Sequence, residues 1–151
     1  MCIRDRLDIV KLPYLDAVCK ETLRIYPVLL TTFIRVLQTP LELMGYQFKP
    51  GTVFAPAIYL VHHREDIYPN SQQFRPERFL ERNFSPYEYF PFGGGSRRCI
   101  GMELAKMEMK IVLYTILSKH KLKLPSSRPL KAVRRGLTVA PPSNFKMILS
   151  N

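Results

Sequence analysis

The sequence predicts an α+β fold in a chain the size of one domain. The 151 residues are 46% hydrophobic and 23% charged, as in an ordinary folded domain. Two segments repeat apolar residues at helical spacing, and short β-favouring segments punctuated by proline and glycine lie between and after them. This order, without repeated strand–helix–strand units, favours α+β over a parallel sheet.

The first helix is predicted over residues 13–26. Pro13 suits a first helical turn, and Pro27 ends the helix. A helix over this range carries one apolar stripe that we expect to be buried, made of Leu12, Leu15, Cys19, Leu23 and Tyr26. Cys19 is interpreted as a packing residue of that stripe.

The next segments predict strands over residues 31–37 and 52–61. A tight hairpin over residues 41–48 lies between them and turns at Gly45. Residues 62–98 contain several prolines and no long periodic run. A loop of this length in a compact domain is uncommon unless it has a function.

A second helix is predicted over residues 101–119. We expect its inward face to consist of Leu104, Ala105, Ile111, Val112 and Ile116. Short strands are predicted after it, over residues 121–124, 136–140 and 145–149.

Cysteine usage and apolar runs exclude several classes of protein. The cysteines at 2, 19 and 99 are odd in number and widely spaced, which favours a reducing compartment over a disulfide framework. Neither CxxC nor HxxxH occurs, so no structural zinc site is predicted. No apolar run approaches the ~20 residues that a membrane span needs, and the N-terminus does not resemble a secretory signal.

Positive charge is concentrated in the last third of the chain. Residues 1–96 have a net charge of +1, whereas residues 97–151 have +10. This asymmetry fits an anionic cofactor, an acidic protein partner, nucleic acid or a membrane face, and equally a solvated surface that only aids solubility.

The segment Phe92-Gly-Gly-Gly-Ser-Arg-Arg-Cys-Ile-Gly101 is the most informative part of the sequence. Its consecutive glycines let the backbone approach a large or flat group. Cys99 is predicted to open the second helix, where the dipole, Arg97 and Arg98 favour a thiolate. Such a cysteine is a nucleophile or a metal ligand. A nucleophile needs a base, and no histidine here has a recognisable motif partner, whereas a single thiolate suits haem iron.

This segment resembles the haem-binding loop of the cytochrome P-450 family, Phe-x-x-Gly-x-Arg-x-Cys-x-Gly. All five fixed positions match: Phe92, Gly95, Arg97, Cys99 and Gly101. Glu21-Thr-Leu-Arg24 resembles the Glu-x-x-Arg motif of the family's helix K, and residues 74–79 resemble the Pro-Glu-Arg-Phe motif of its meander. The Gly-Met-Glu-Leu-Ala-Lys run at residues 101–106 and the Arg-Arg-Gly-Leu-Thr-Val-Ala-Pro stretch at residues 134–141 resemble bacterial members more than animal ones.

The resemblance covers the C-terminal third of the family fold: helix K, a β-hairpin and strands, the meander, the cysteine loop, helix L and C-terminal strands. It implies that residues 1–151 are a single fragment of a larger haem-binding domain. Residues 1–6 fit no family pattern and are interpreted as a non-native start.

The resemblance also implies a cofactor, haem b (iron protoporphyrin IX), and residues that hold it. Cys99 would be the axial thiolate on the iron. Phe92 would pack near the haem, and Arg97 would pair with a propionate. Arg35 and His63 match positions that often reach a propionate, although a turn-capping role is the alternative for His63.

Three further groups of residues follow from the resemblance. Glu21, Arg24 and Arg78 would form a buried charge triad that fixes the meander against helix K. A substrate pocket, or else ordinary core, would include Val28, Leu29, Leu30, Thr31, Leu137 and Thr138. A face for an acidic electron donor, a ferredoxin or flavin domain, would include Arg98, Lys106 and Lys110, with simple solvation of the lysines as the alternative.

The implied activity inserts one oxygen atom of O₂ into a small apolar substrate, with electrons from a redox partner that uses NAD(P)H. The family's distal oxygen-activating residues are not in this sequence, so we expect the fragment alone to be inactive. A non-redox isomerase or peroxide-using member, and a truncated fragment without haem, are the alternatives. Nucleic-acid binding is disfavoured because the aromatic residues cluster at 84–92, before the basic third. A cytoplasmic location is expected, with no transmembrane segment.

Overall fold

The computed structural model describes residue 8, residues 11–125 and residues 131–150, so the expected non-native start lies outside the described residues. The helices with described bounds are α1 (Pro13–Ile25), α2 (Ile58–His62), α3 (Arg78–Glu81) and α4 (Met102–Leu117). The strands are β1 (Arg35–Val36), β2 (Leu41–Leu43), β3 (Tyr46–Phe48), β4 (Val53–Phe54), β5 (Lys121–Lys123), β6 (Val133–Arg135), β7 (Thr138–Ala140) and β8 (Ile148–Ser150). This mixture confirms the predicted α+β class.

The strands pair as antiparallel two-stranded ladders, β1 with β4, β2 with β3, β5 with β8 and β6 with β7. The β2–β3 hairpin is confirmed, with Leu41 opposite Phe48. Met44 and Gly45 form its turn at φ 54° and 80°. Two successive residues in the left-handed region match the hairpin turn that follows the natural twist of paired strands.

Helix α1 begins at Pro13, as predicted, and ends at Ile25, one residue before the predicted end. Cys19 and Leu23 of the expected stripe are buried. Leu12 and Tyr26 are exposed, so the predicted stripe is too long at both ends. Both residues flank the helix rather than belong to it, and the helical period does not apply to them.

The predicted strand over residues 52–61 is wrong beyond Phe54. Pro56 has no N–H to donate to a ladder, and its carbonyl accepts a 2.9 Å hydrogen bond from the Thr32 amide. The chain then forms α2, beginning at Ile58. The predicted strand over residues 31–37 is correspondingly reduced to the two residues that β4 can pair.

The C-terminal strands were predicted in part. Strands β5, β7 and β8 lie within or next to their expected ranges. Strand β6 was not expected because two of its three residues are arginines, which carry no β signal. It pairs with β7 across a turn at Gly136, where φ is 62°.

Helix α4 differs from expectation in what it buries. Leu104 and Val112 of the predicted inward face are 55% and 53% exposed, whereas Lys110 is only 7% exposed. The Lys110 ammonium forms an ion pair with Asp16 of α1. Burial opposes ionisation of Asp16, but hydrogen bonds from Lys110 and Lys20 outweigh it and lower the Asp16 pKa. Helix α4 therefore meets α1 through a charged pair, which the apolar period could not reveal.

A buried charge cluster ties α1 to α3. Glu21 Oε2 accepts from Arg24 Nε at 2.7 Å, and Glu21 Oε1 accepts from Arg24 Nη2 at 2.9 Å. Arg78 Nε, from α3, donates to Glu21 Oε1 at 3.1 Å. Glu21 and Arg24 are fully buried and Arg78 nearly so. The structure thus brings the three residues of the expected triad together.

The same cluster organises the backbone of the long loop. Arg24 Nη1 donates to the His62 carbonyl at 2.6 Å, and Nη2 donates to the Ser71 carbonyl at 2.7 Å. Glu21 Oε1 also accepts from the Arg75 amide at 2.9 Å. Since buried charges are tolerated only with partners, the loop carbonyls and amides are as necessary to the cluster as its side chains.

An aromatic layer covers the charge cluster. The buried Tyr68 ring lies 4.9 Å from the Arg24 guanidinium carbon and stacks on Phe84 at 4.7 Å between centroids. The buried His62 imidazole stacks on Tyr89 at 5.4 Å. Few aliphatic side chains are buried among the residues that the structure describes, so these rings supply much of the apolar cover, together with cation–π attraction.

We expect Glu21→Ala to destabilise the chain by about 3–5 kcal/mol, because it leaves two buried guanidinium groups without their carboxylate. Urea unfolding followed by circular dichroism measures the loss. Combining it with Arg78→Ala should add little, since coupled sites are not additive. The control is Glu81→Ala, which breaks an exposed pair with Arg75 and should cost less than about 1 kcal/mol. A mild, fully additive effect of Glu21→Ala would contradict the coupled cluster.

Acid should destabilise the fold through His62. Burial, and secondarily the charge of Arg24, lowers the His62 pKa from 6.5 to about 3. Between these values the unfolded chain binds a proton that the folded chain does not. Stability is therefore unaffected above about pH 6.5 and declines below it, by at most about 1.4 kcal/mol per pH unit for this group. Urea unfolding at pH 7, 6, 5 and 4 should show a shallower decline for His62→Gln; parallel curves would contradict the assignment.

Candidate functional site

The loop from residue 90 to residue 101 depends on glycine at two positions. Gly93 and Gly95 have φ values of 75° and 66°, which other residues adopt only with strain. A short 3-10 turn over Gly95–Arg97 follows, and the Arg98 amide donates to the Gly95 carbonyl at 3.3 Å. The glycines therefore allow the sharp reversal that returns the chain towards Phe92.

Cys99 is fixed by its backbone. Its amide donates to the Phe92 carbonyl at 3.0 Å, which closes the loop across its base. Its thiol is free and exposed. A Cβ added at Gly101 would lie 3.9 Å from Cys99 Sγ, so the sulfur sits beside a position without a side chain.

The helix that follows begins later than expected. Helix α4 begins at Met102, three residues after Cys99, and the Met102 amide donates weakly to the Cys99 carbonyl at 3.4 Å. The prediction that Cys99 itself opens the helix is wrong. The thiol therefore lies before the first turn of the helix.

Cys99 lies in the wall of an open concavity of about 660 Å³. This volume is within the usual range for small-molecule and cofactor sites. Its lining residues are Gly95, Ser96, Arg97, Arg98, Cys99, Ile100, Met102 and Glu103. The concavity therefore places the thiol and two arginines around one space.

The donor set of this concavity fits haem. A protein-chelated ion needs several ligands, and the described residues contain no group of three or more His, Cys, Asp or Glu that could hold a metal. Haem iron already has four ring nitrogens and needs one sulfur ligand from the protein, and the exposed Cys99 thiol is free to supply it. Arg97 is exposed and has no acidic partner within the described ranges, so it is available to a propionate.

The other two expected propionate partners make local contacts. Arg35, in β1, is exposed and reaches only the Ile34 carbonyl, at 3.3 Å, among the residues described. His63 follows the last residue of α2, and its Nδ1 lies 2.8 Å from the Tyr59 carbonyl. Burial lowers the His63 pKa. These contacts match the turn-capping alternative for His63, and its role towards a propionate stays a prediction.

The two segments expected to line a substrate pocket lie side by side. The Val139 amide donates to the Val28 carbonyl at 2.9 Å, and Leu29 forms an isolated antiparallel bridge with Thr138. Exposed apolar side chains occur on both segments, and Leu137 is the most exposed of them. Thr31 is also exposed. The structure thus joins the segments, and their role as a pocket stays a prediction.

The expected electron-donor face is not continuous. Arg98 is exposed, whereas Lys106 pairs with Glu103 at 3.1 Å. Lys110 is buried against Asp16, and so it cannot share an exposed face with Lys106. The one-turn spacing on the helix was correct, but the neighbouring α1 covers the second lysine.

The start of the cysteine loop is anchored by hydrogen bonds that were not predicted from the sequence. Tyr68 donates its hydroxyl to the Glu88 carbonyl at 2.9 Å, and Tyr89 donates its hydroxyl to the Lys20 carbonyl at 3.1 Å. The Phe90 amide donates to His62 Nε2 at 3.1 Å. Residues 88, 89 and 90 are thereby fixed where the chain enters the loop. The aromatic cluster at 84–92 was the only available signal.

Comparison with known proteins gives consistent results. The family model for Cytochrome P450 matches residues 5–149. A protein named "Putative cytochrome P450 135B1" from Mycobacterium tuberculosis is 46% identical over 109 residues, which are 72% of this chain and 23% of that protein. "Cytochrome P450 3A29" from Sus scrofa is 37% identical over 135 residues, 86% of this chain and 27% of that protein. The higher bacterial identity agrees with the predicted nearness to bacterial members.

Solved structures match over nearly the whole chain. The structure titled "Retinoic acid bound cyanobacterial CYP120A1" has a TM-score of 0.86 at 31% identity, covering 94% of this chain and 33% of that one. The structure titled "Crystal structure of a Cytochrome P450 (CYP102L1)" has a TM-score of 0.83 at 33% identity, covering 94% of this chain and 32% of that one.

The chain spans about a quarter of the length of the curated relatives it matches. Among the described residues, no helix is both long and apolar enough to cross a bilayer. The cysteine loop, the charge cluster and these matches agree, and the chain belongs to the cytochrome P450 family.

Proposed function

We propose that this chain is the thiolate-donating part of a haem monooxygenase, with Cys99 as the iron ligand. The observation that carries the proposal is the exposed Cys99 thiol in the wall of the concavity, with its amide tied to the Phe92 carbonyl at 3.0 Å. A thiol that is fixed through its backbone, yet free at the sulfur, suits ligation better than packing.

The residues around Cys99 would have distinct roles. Haem b, when bound, supplies the O₂ chemistry of the family, and a thiolate ligand favours O–O cleavage. Cys99 would lose its proton to solvent on binding and present the sulfur to the iron. Arg97 would hold a propionate through its planar guanidinium group, and Phe92 would shield the sulfur from water. Gly101 would keep the space beside the sulfur free of a side chain, and Gly95 would do the same elsewhere in the wall of the concavity.

The oxygen-inserting activity would belong to a full-length protein, because this chain spans about a quarter of its relatives. We propose a small apolar substrate, contacted in part by residues 28–31 and 137–138. The substrate, the electron donor and the cytoplasmic location are proposals drawn from the family. The exposed apolar side chains of α4, such as Leu104 and Val112, would pack against parts of that protein outside this sequence.

The ligand assignment predicts a spectral signature. A chimaera, made by replacing the matching segment of the M. tuberculosis relative with this chain, is loaded with haem, reduced and exposed to carbon monoxide. A thiolate ligand should give a strongly red-shifted Soret band. Cys99→Ser should abolish that band, whereas Cys19→Ser, at a buried packing position, should keep it. A red-shifted band in the Cys99→Ser chimaera would refute the assignment.

The electron-donor face predicts salt-dependent kinetics carried by Arg98. Charge reversal at Arg98 in the chimaera should slow the first electron transfer several-fold at low salt. The effect should shrink as the Debye length falls from ~10 Å at 0.1 M to ~3 Å at 1 M salt. Lys123→Glu, on β5, is the matched control and should change the rate little. The rate of the first electron transfer is measured by stopped flow. A rate that changes neither with salt concentration nor with charge reversal at Arg98 would contradict a role for this face.

A further inference from the structure

We infer that His62 is a positioning residue for the cysteine loop: its neutral imidazole accepts the Phe90 amide and couples the loop to the buried charge cluster. The inference rests on the proposed function, since it matters because Cys99 must be held towards a haem. His62 is not part of the motifs that identified the family, and its side chain lies behind the loop rather than in the concavity.

The two polar ends of His62 face different parts of the fold. Its carbonyl accepts the 2.6 Å hydrogen bond from Arg24 Nη1, and its Nε2 accepts the 3.1 Å hydrogen bond from the Phe90 amide. The side chain is fully buried, and its ring stacks on Tyr89 and makes a T-shaped contact with Phe90, each with 5.4 Å between ring centroids. One residue therefore connects the Glu21–Arg24 pair to the first residue of the loop.

The hydrogen bond fixes the tautomer of the imidazole. Because Nε2 accepts from an amide, the ring proton must be on Nδ1. Nδ1 is buried, and no partner for it exists among the described residues. A buried donor without a partner is costly, and a leucine would avoid that cost. What histidine offers and leucine lacks is a ring nitrogen that accepts the hydrogen bond from the Phe90 amide.

The surroundings keep the imidazole in its accepting form. An imidazolium would donate from both nitrogens and lose the Phe90 amide. Burial and the nearby Arg24 charge disfavour the protonated state. Glu21 is the acidic group of the charge cluster, and its carboxylate is already bonded to both arginines. His63, the adjacent titratable group, directs its Nδ1 to the Tyr59 carbonyl.

A short path leads from Phe90 to the sulfur. The Phe90 carbonyl accepts the Gly93 amide at 2.9 Å, and the Phe92 carbonyl accepts the Cys99 amide at 3.0 Å. Both bonds lie at the base of the loop. A displacement of Phe90 would therefore also displace Cys99, the residue that carries the thiol.

The test is amide hydrogen exchange, followed by NMR, on the 151-residue chain without haem. His62→Leu keeps apolar volume but removes the acceptor, and it should speed exchange at Phe90 and Cys99 about tenfold relative to amides of α1. His62→Gln returns an acceptor oxygen and should restore protection. His63→Leu is the matched control at the next position and should leave both amides unchanged.

The exchange rates of the two His62 variants support or overturn the role of His62 as the acceptor for the Phe90 amide. Selective loss at Phe90 and Cys99 in His62→Leu, restored in His62→Gln, supports it. If His62→Leu fails to fold while His62→Gln retains wild-type protection, the acceptor is again what matters. Unchanged exchange in His62→Leu, or equal loss across α1 and the loop in both variants, overturns it. A haem titration of the unmodified chimaera separately tests the proposed function, because that result does not depend on His62.

Discussion

The carboxylate of Glu21 is the group on which the arrangement of this chain depends. Two guanidinium groups and one loop amide converge on its oxygens in a region without solvent. A buried carboxylate is tolerated only when its partners are in place, and those partners come from α1, α3 and the loop before α3. The aromatic layer then covers the cluster and fixes residues 88–90, where the chain enters the cysteine loop. The charge cluster is thus linked to the start of the cysteine loop through His62, which accepts from Arg24 with its carbonyl and from the Phe90 amide with its ring.

Local signals in the sequence were enough for several elements. Pro13 and Pro27 delimit α1, and Gly45 marks a hairpin turn, because each acts through its own backbone. Glu21, Arg24 and Arg78 could be grouped only through the family motifs, since residues 21 and 78 are far apart in sequence and no periodicity links them. The motif match likewise selected Cys99, and the exposed, free thiol agrees with that choice.

Other features depend on tertiary partners that local patterns do not encode. The apolar run from Ile58 to Val61 suits strand and helix equally, and Pro56 decides against the strand. Lys110 is predicted to lie on the surface, because lysine side chains are usually exposed. In the structure it is buried in an ion pair with Asp16 of α1. His62 belongs to no recognised sequence motif. Its contact with the loop, a hydrogen bond accepted from the Phe90 amide, is visible only in the structure.

The sequence separations within the charge cluster bear on how this region folds. Glu21 and Arg78 are 57 positions apart, and Arg24 reaches the carbonyl of a residue 47 positions away. Closing loops of that length costs conformational entropy before the ion pairs can form and stabilise the fold. The helix α1 can form early from local contacts, but its charges find their partners only when the chain after β4 folds back onto it. Ordering of that segment is therefore a late step with high contact order, and it is expected to limit the folding rate of the region.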